Sequence, residues 1–226
     1  MSRYSFSLLC LLLVSFGWSQ KVNQQGDTIP KVKIDWTPHE LKVGTNLIRA
    51  GRSAFGSDLV TYELQAGLAM HQAIFIVDIG IEENQRGESF NYTNEGSYYR
   101  VGADWNFVKD LPSGNVLSLG LRHGRASFKD QLEFTQNYGF GEENFRYAND
   151  KLRARWYEVT FNLRGKVVSN LYMGFTMRWQ FARNINGESE LLTFDVPGFG
   201  KTRRENSTAF DYYVMWRLPF SKKQGL

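Results

Sequence analysis

Twelve ionisable side chains sit where the chain alternates polar with apolar residues. The acids are Glu63, Asp78, Glu82, Asp104, Glu158 and Asp211; the bases are Lys42, Arg100, Arg122, Arg164, Arg178 and Arg217. Such residues support two kinds of chemistry. Two carboxylates whose surroundings split their pKa values make a general acid and a general base, or steps in a proton path. Balanced acids and guanidiniums instead neutralise one another, because an Arg fork binds a carboxylate bidentately and leaves no isolated buried charge. The linear spacing leaves open whether Glu63 and Glu158 meet. The six-to-six balance favours a structural polar network, with no catalytic residue, cofactor or metal site assigned.

Other motifs are weaker. The three histidines are His39, His71 and His123. His123 with Ser127 is the one base–hydroxyl pair that a membrane lipid esterase could use, and such a pair needs hydrogen-bond contact. Gly198-Phe199-Gly200-Lys201-Thr202 ends like a phosphate loop, but Asp195 stands where the first glycine belongs and no helix is expected after it. Asn91-Tyr92-Thr93 and Asn206-Ser207-Thr208 match the N-glycosylation pattern, and Asp27-Thr28-Ile29 resembles a Bacteroidota O-glycosylation motif. Cys10 is the only cysteine, so a disulfide framework is excluded.

The elements that must position these residues follow from periodicity. Period-2 alternation recurs eight times, near His39–Arg49, Leu59–Ala69, Gln72–Glu82, Ser97–Val108, Val116–Arg125, Ala154–Arg164, Leu171–Phe181 and Ala209–Phe220. Each segment is about the ten residues that a tilted strand needs to cross a bilayer. The connections Met70-His71, Lys109–Gly114 and Gly165–Asn170 are short, whereas Asn84–Gly96, Ala126–Arg153 and Ala182–Thr208 are long. Aromatics sort to the two ends of the strands, with Tyr62, Tyr99, Tyr157, Trp179, Phe181, Phe210 and Tyr212 at one end and Phe75, Trp105, Phe107, Trp216 and Phe220 at the other. Two aromatic girdles around an aliphatic band suit the two membrane interfaces. The expected fold is therefore all-β, an eight-stranded antiparallel transmembrane up-and-down barrel with its apolar face in lipid and its charged face in the lumen. A soluble sandwich is the alternative.

The first residues read as targeting. Arg3 precedes the apolar run Ser7–Val14, and Gly17-Trp18-Ser19 offers a cleavage site. The expected organisation is a signal peptide over 1–19, an irregular periplasmic segment over 20–37, the barrel over 38–220 and a periplasmic tail over 221–226. The net charge of +4 is spread along 226 residues and gives no nucleic-acid footprint.

The last strand, Phe210 to Phe220, resembles the C-terminal signal read by the barrel-assembly machinery, with Pro219 near its end and Ser221 to Leu226 following as departures. Residues 38–220 are similar in layout to the OmpA/OmpX class of eight-stranded barrels, and Tyr92…Gly96-x-Tyr98-x-x-x-Gly102-x-Asp104 resembles a Bacteroidota outer-membrane barrel family with no assigned catalytic residues. That resemblance implies an outer-membrane, porin-like shape inserted by the assembly machinery and surrounded by outer-membrane lipids. The expected role is a non-enzymatic structural or accessory subunit that binds a protein partner through its loops or periplasmic rim. The alternatives are a small pore or transport accessory and a lipid-modifying enzyme. The loop Ala126–Arg153 carries Phe128, Phe134, Tyr138, Phe140, Phe145 and Tyr147. These rings either bind something or pack on one another along strands that continue outward.

Overall fold

In the computed structural model the described residues are 35–55, 58–87, 90–108, 113–139 and 141–220. The chain divides into two units, residues 1–34 and 35–226, and every described residue belongs to the second. The expected signal peptide, the Asp27-Thr28-Ile29 motif, Phe140 and the tail 221–226 lie outside the described residues.

The strands are β1 (Pro38–Asn46), β2 (Leu59–Met70), β3 (Ala73–Arg86), β4 (Phe90–Asn106), β5 (Val116–Asn137), β6 (Glu142–Val168), β7 (Leu171–Asn186), a two-stranded hairpin of β8 (Asp195–Val196) and β9 (Gly200–Lys201), and β10 (Ser207–Pro219). One helix, α1 (Leu47–Ala54), follows β1. Eight strands close into a barrel in the order β1-β10-β7-β6-β5-β4-β3-β2, every ladder antiparallel. Closure removes the free edges that an open sheet of alternating strands would leave.

The period-2 pattern decides which face is enclosed. Gln65, Asp78, Arg100, Glu158, Thr176 and Gln180 are fully buried in the lumen, while their neighbours Leu64, Val77, Ile79, Tyr99, Tyr157, Met177 and Trp179 are exposed on the outside. This is the inverse of a soluble core. The outward residues form an aliphatic belt with exposed aromatics at both ends, such as Tyr62, Tyr99 and Trp179 against Phe75, Trp105 and Trp216.

The β2–β3 connection is two residues as expected, shifted to His71-Gln72, and the β6–β7 connection is tighter than its expected span, Ser169-Asn170 instead of Gly165–Asn170. His71 (φ 53°) turns β2 into β3, and Ser169 (φ 45°) turns β6 into β7, so β6 continues to Val168 through Gly165. At the opposite end the structure corrects three expectations. The first strand stops at Asn46 rather than Arg49, because the Asn46 side chain accepts from the backbone N–H groups of Ile48 and Arg49 and starts a helix. The presumed loops Asn84–Gly96 and Ala126–Arg153 are mostly strand, with registered pairs such as Arg86↔Tyr92 and Asn137↔Glu142 at their tips. Beyond the apolar belt the outer face turns polar while the inner face takes apolar residues such as Phe128 and Leu152. The apolar-out pattern is therefore lost while the backbone ladder continues.

The ladders of β1 end at Asn46↔Tyr213 and Thr45↔Leu64, whereas β10 begins at Ser207 and β2 at Leu59. Helix α1 packs against β2 and β10 above that level. Ser53 Oγ there accepts from Thr61 N and donates to Thr61 O, standing in for a missing ladder partner. Similarly, β6 between Glu142 and Leu152 is paired to β5 but has no β7 ladder, which begins at Arg153↔Asn186.

Glycine makes room in the lumen where large rings lie across a neighbouring strand. A Cβ on Gly124 would sit 2.2 Å from the indole of Trp156, a side chain buried completely. Gly124→Val should therefore displace the indole and destabilise the barrel by about 1–3 kcal/mol, the range for overpacking a filled interior. Gly51→Ala, where the added methyl meets open space in α1, should be neutral or stabilising by up to about 1 kcal/mol. Urea unfolding of the refolded barrel measures both.

Candidate functional site

The lumen is layered. At the short-turn end, Lys42 Nζ donates to Glu40 Oε1 (2.5 Å) and to Gly114 O (2.7 Å), and Arg217 Nε lies 2.6 Å from Glu40 Oε2. The next layer is amide-rich. Arg164 donates to Gln65 Oε1 at 2.6 Å, and Asn162 donates to Asp104 Oδ2 at 3.0 Å and to Ser118 Oγ at 3.1 Å.

The densest layer lies above. Arg178 Nε donates to Asp211 Oδ2 (2.6 Å) and Arg178 Nη1 to Glu158 Oε2 (3.1 Å), with Asp78 Oδ2 at 3.5 Å and Glu63 Oε1 at 4.0 Å. Arg100 joins Glu63 (2.6 Å) to Asp78 (3.0 Å), and Arg122 joins Asp78 (3.0 Å) to Asp104 (3.1 Å). Tyr213 donates to Glu63 and accepts from Arg178, while Tyr98 donates to Glu63 Oε2. Glu63 and Glu158 are thus brought to one guanidinium, with an arginine between them rather than a shared proton.

All six expected acids and the expected bases except Arg217 are buried in the lumen, with Arg217 half-buried at its rim. The pairing differs from an even six-to-six match. Lys42 and Arg217 serve Glu40, and Arg164 bonds to amides, a hydroxyl and the Met215 sulfur instead of a carboxylate. The missing cation is Arg49 of α1, which reaches inward to Asp211 (3.2 Å), Glu82 (3.3 Å) and Glu63 (3.5 Å). Glu40 and Arg49 escaped the sequence reading, the second because its segment was assigned to a strand. Asn46 before Leu47–Ala54 is the capping signal that would have found it.

A plug covers the network. Residues 187–206, read from sequence as an outer loop, fold into the barrel mouth as the β8–β9 hairpin. Its tip is Pro197-Gly198-Phe199, with Gly198 at φ 78°. Gly198 N donates to Glu82 Oε2 (3.3 Å), and Gln180 Nε2 donates to Gly198 O (3.0 Å). Phe199 meets Trp156 edge-on at 5.8 Å and, with Val196, Phe128 and Leu152, forms an apolar layer above the ions. The stretch that ended like a phosphate loop is this hairpin, and among the described residues no helix follows it. Above it, Asp195 accepts from Arg86 Nη2 (2.7 Å) and Asn84 Nδ2 (2.9 Å), and Asn149 Nδ2 donates to Asp130 Oδ1 (2.8 Å) and to Leu191 O (2.9 Å). Burial pushes the carboxyls of Asp130 and Asp195 above their usual range.

The expected base–hydroxyl pair is not assembled. His123 and Ser127 lie four residues apart on β5, about 13 Å along a strand, and His123 packs against Tyr157 at 5.1 Å. Among the described residues, no group of three or more His, Cys, Asp or Glu side chains is placed to hold a metal ion.

Two predictions follow from this geometry. Arg178→Met leaves several buried carboxylates short of a partner and should cost about 3–5 kcal/mol in urea unfolding. Lys129→Met, which breaks only the exposed pair with Glu95, should leave the midpoint unchanged. For the plug, a raised carboxyl pKa adds stability that is complete below the unfolded value, about 3.9 for Asp, and is lost as pH rises through the folded value. Hydrogen exchange across 187–206, corrected for intrinsic rate, should therefore show weaker protection at pH 7.5 than at pH 4. The double variant Asp130→Asn, Asp195→Asn should flatten that dependence.

No curated protein matches the chain. Among solved structures, the crystal structure of Neisserial surface protein A (NspA) is similar, at 12% identity and a TM-score of 0.38, over 80% of this chain and 95% of that one. Closure of the sheet is established by this chain's own ladders. A family model matches residues 1–223, and the chain belongs to that family, described as Domain of unknown function (DUF6048).

Proposed function

We propose that this chain is an outer-membrane β-barrel whose sealed lumen is a structural scaffold and whose work is done outside it, by presenting the β5–β6 hairpin to a protein partner. The carrying observation is the combination of a filled interior with a hairpin that extends well past the apolar belt. Tyr99 and Phe107 mark the two exposed aromatic levels on and just after β4, eight residues apart. That is about 27 Å along a strand, which a tilt of about 40° reduces to about 20 Å, close to the apolar band of outer-membrane barrels. Short turns and termini would face the periplasm and the hairpin the exterior.

From His123 to Asn137, β5 runs about 48 Å along its axis at about 3.4 Å per residue. Its far end pairs with β6, and Phe134, Phe145 and Tyr147 stack there, with Phe134 and Phe145 at 5.2 Å. The rings thus pack on one another along continued strands. They remain only half-buried, with Phe90 exposed beside Phe134. Aromatic faces of this kind supply contact area at low entropic cost. The unpaired edge of β6 between Glu142 and Leu152 also offers backbone groups to an added strand.

In this reading the lumen network of Glu63, Asp78, Asp104, Glu158, Asp211, Arg100, Arg122, Arg164, Arg178 and Arg217 is scaffold and not a catalytic or conducting path. Outer-membrane lipids and, during insertion, the barrel-assembly machinery are its other partners. A photo-crosslinking side chain placed at Tyr147 in intact cells should give one discrete protein adduct, lost when Phe134→Ser and Phe145→Ser are combined. A solitary monomer at every hairpin position defeats the partner reading. Stepwise currents in planar bilayers would instead establish the small-pore alternative.

A further inference from the structure

Three arginines stand close together on the outside of the barrel. Arg125, Arg153 and Arg155 are all exposed and outward-facing on β5 and β6. Arg125 lies directly opposite Arg155, with Tyr99 on its other side; Arg153 lies between Ser127 and Asn186. Among the described residues no carboxylate is within ion-pair distance of any of the three. The nearest acid on the same face of β4, Glu95, is already held by Lys129 at 2.6 Å. Like charges placed opposite each other on a ladder destabilise it, so the arrangement points to an anion from outside the chain.

Its height on the wall narrows the choice. Arg125 and Arg155 share the level of Tyr99, and Tyr157 and His123 lie one outward step toward the belt. Cationic side chains cost several kcal/mol at a bilayer midplane but only about 0–1 near the interface. This level is therefore where arginine is tolerated and where lipid phosphates sit. Beside the arginines runs a groove of about 740 Å³. Ser97 and Ser127 give it a low floor, and Tyr62, Leu64, Ile79 and Ile81 give it an apolar flank that leads into the aliphatic belt. The groove crosses the strands: Leu64, Ile79, Tyr99, Arg125 and Arg155 lie on one rung of paired residues, and Tyr62, Ile81, Ser97, Ser127 and Arg153 on the next. A basic end thus adjoins an apolar end around the wall, which matches an amphiphile with an anionic head and hydrocarbon tails.

We infer that this face binds a phosphorylated lipid of the outer leaflet, its phosphate bridged by Arg125, Arg153 and Arg155 and one acyl chain lying along the Leu64–Ile79–Ile81 flank. Guanidinium forks suit phosphate oxygens, and a phosphate between Arg125 and Arg155 turns their repulsion into a bridge. The inference rests on the outer-membrane reading above, which is checked separately by heat-dependent gel migration of the folded barrel.

The test is native mass spectrometry of the detergent-solubilised chain. Dioleoyl phosphatidic acid is the probe, with dioleoyl phosphatidylcholine and inorganic phosphate as the other arms. One phosphatidic acid should be retained per barrel. The triple variant R125Q/R153Q/R155Q should bind it at least about tenfold more weakly, the scale of a lost charged hydrogen bond. Ser127→Trp fills the groove and leaves every charge in place, so it should weaken phosphatidic acid by a similar factor. It also serves if the triple variant fails to fold. Equal retention of both lipids, binding untouched by either variant, or inorganic phosphate competing as well as the lipid would overturn the inference while leaving the barrel's gel migration intact.

Discussion

Arg178 is the point on which the interior turns. From β7 its guanidinium reaches Asp211 on β10, Glu158 on β6, Asp78 on β3 and Glu63 on β2, and it donates to the Tyr213 hydroxyl. One side chain thus spans the lumen and ties strands that are not neighbours in the sheet. An eight-stranded barrel has an interior just wide enough for side chains to fill it. Once the apolar face is turned outward, that filling must be polar, and polar groups taken from water must be paired. The ion lattice is the consequence of that inversion.

The ends of the barrel follow from the same demand. The central layer sets six carboxylates, Glu63, Asp78, Glu82, Asp104, Glu158 and Asp211, against Arg49, Arg100, Arg122 and Arg178. Arg49 can contribute only because β1 stops early and α1 folds over the gap between β2 and β10. The plug completes the lid: Gly198 N–H meets the Glu82 carboxylate, and Phe199 seals the ions beneath an apolar layer with Trp156. A short strand and an inward loop, which look like irregularities of the barrel, supply a cation, a backbone donor and a hydrophobic cap.

With the lumen filled by paired side chains, the proposed function rests on the exterior. The His123 imidazole and the Ser127 hydroxyl both face outward but are too far apart to act together. The exposed features that remain are a half-buried aromatic face on the β5–β6 hairpin and an unpaired arginine cluster beside an apolar groove. In the readings proposed above, the first meets a protein and the second a lipid head group, and the lumen serves both as the rigid wall that presents them.

Much of this was legible in the residues alone. Strict alternation specified eight strands, and the character of the two faces specified which one carried Asp78, Arg100, Glu158 and Arg178, because a period of two leaves a side chain only two directions. The pattern failed where amphipathicity ends. Beyond the apolar belt the outer faces of β4, β5 and β6 turn polar and their inner faces carry rings and aliphatic side chains such as Phe128 and Leu152, so the apolar-out pattern is lost and continuing strands looked like loops. What only the tertiary structure decided was who pairs with whom. Arg49 and Arg164 took partners that no spacing could assign, and the hairpin around Gly198 turned inward. Those choices depend on ring closure, which brings β1 beside β10 and sets side chains from distant strands at one height in a single narrow lumen.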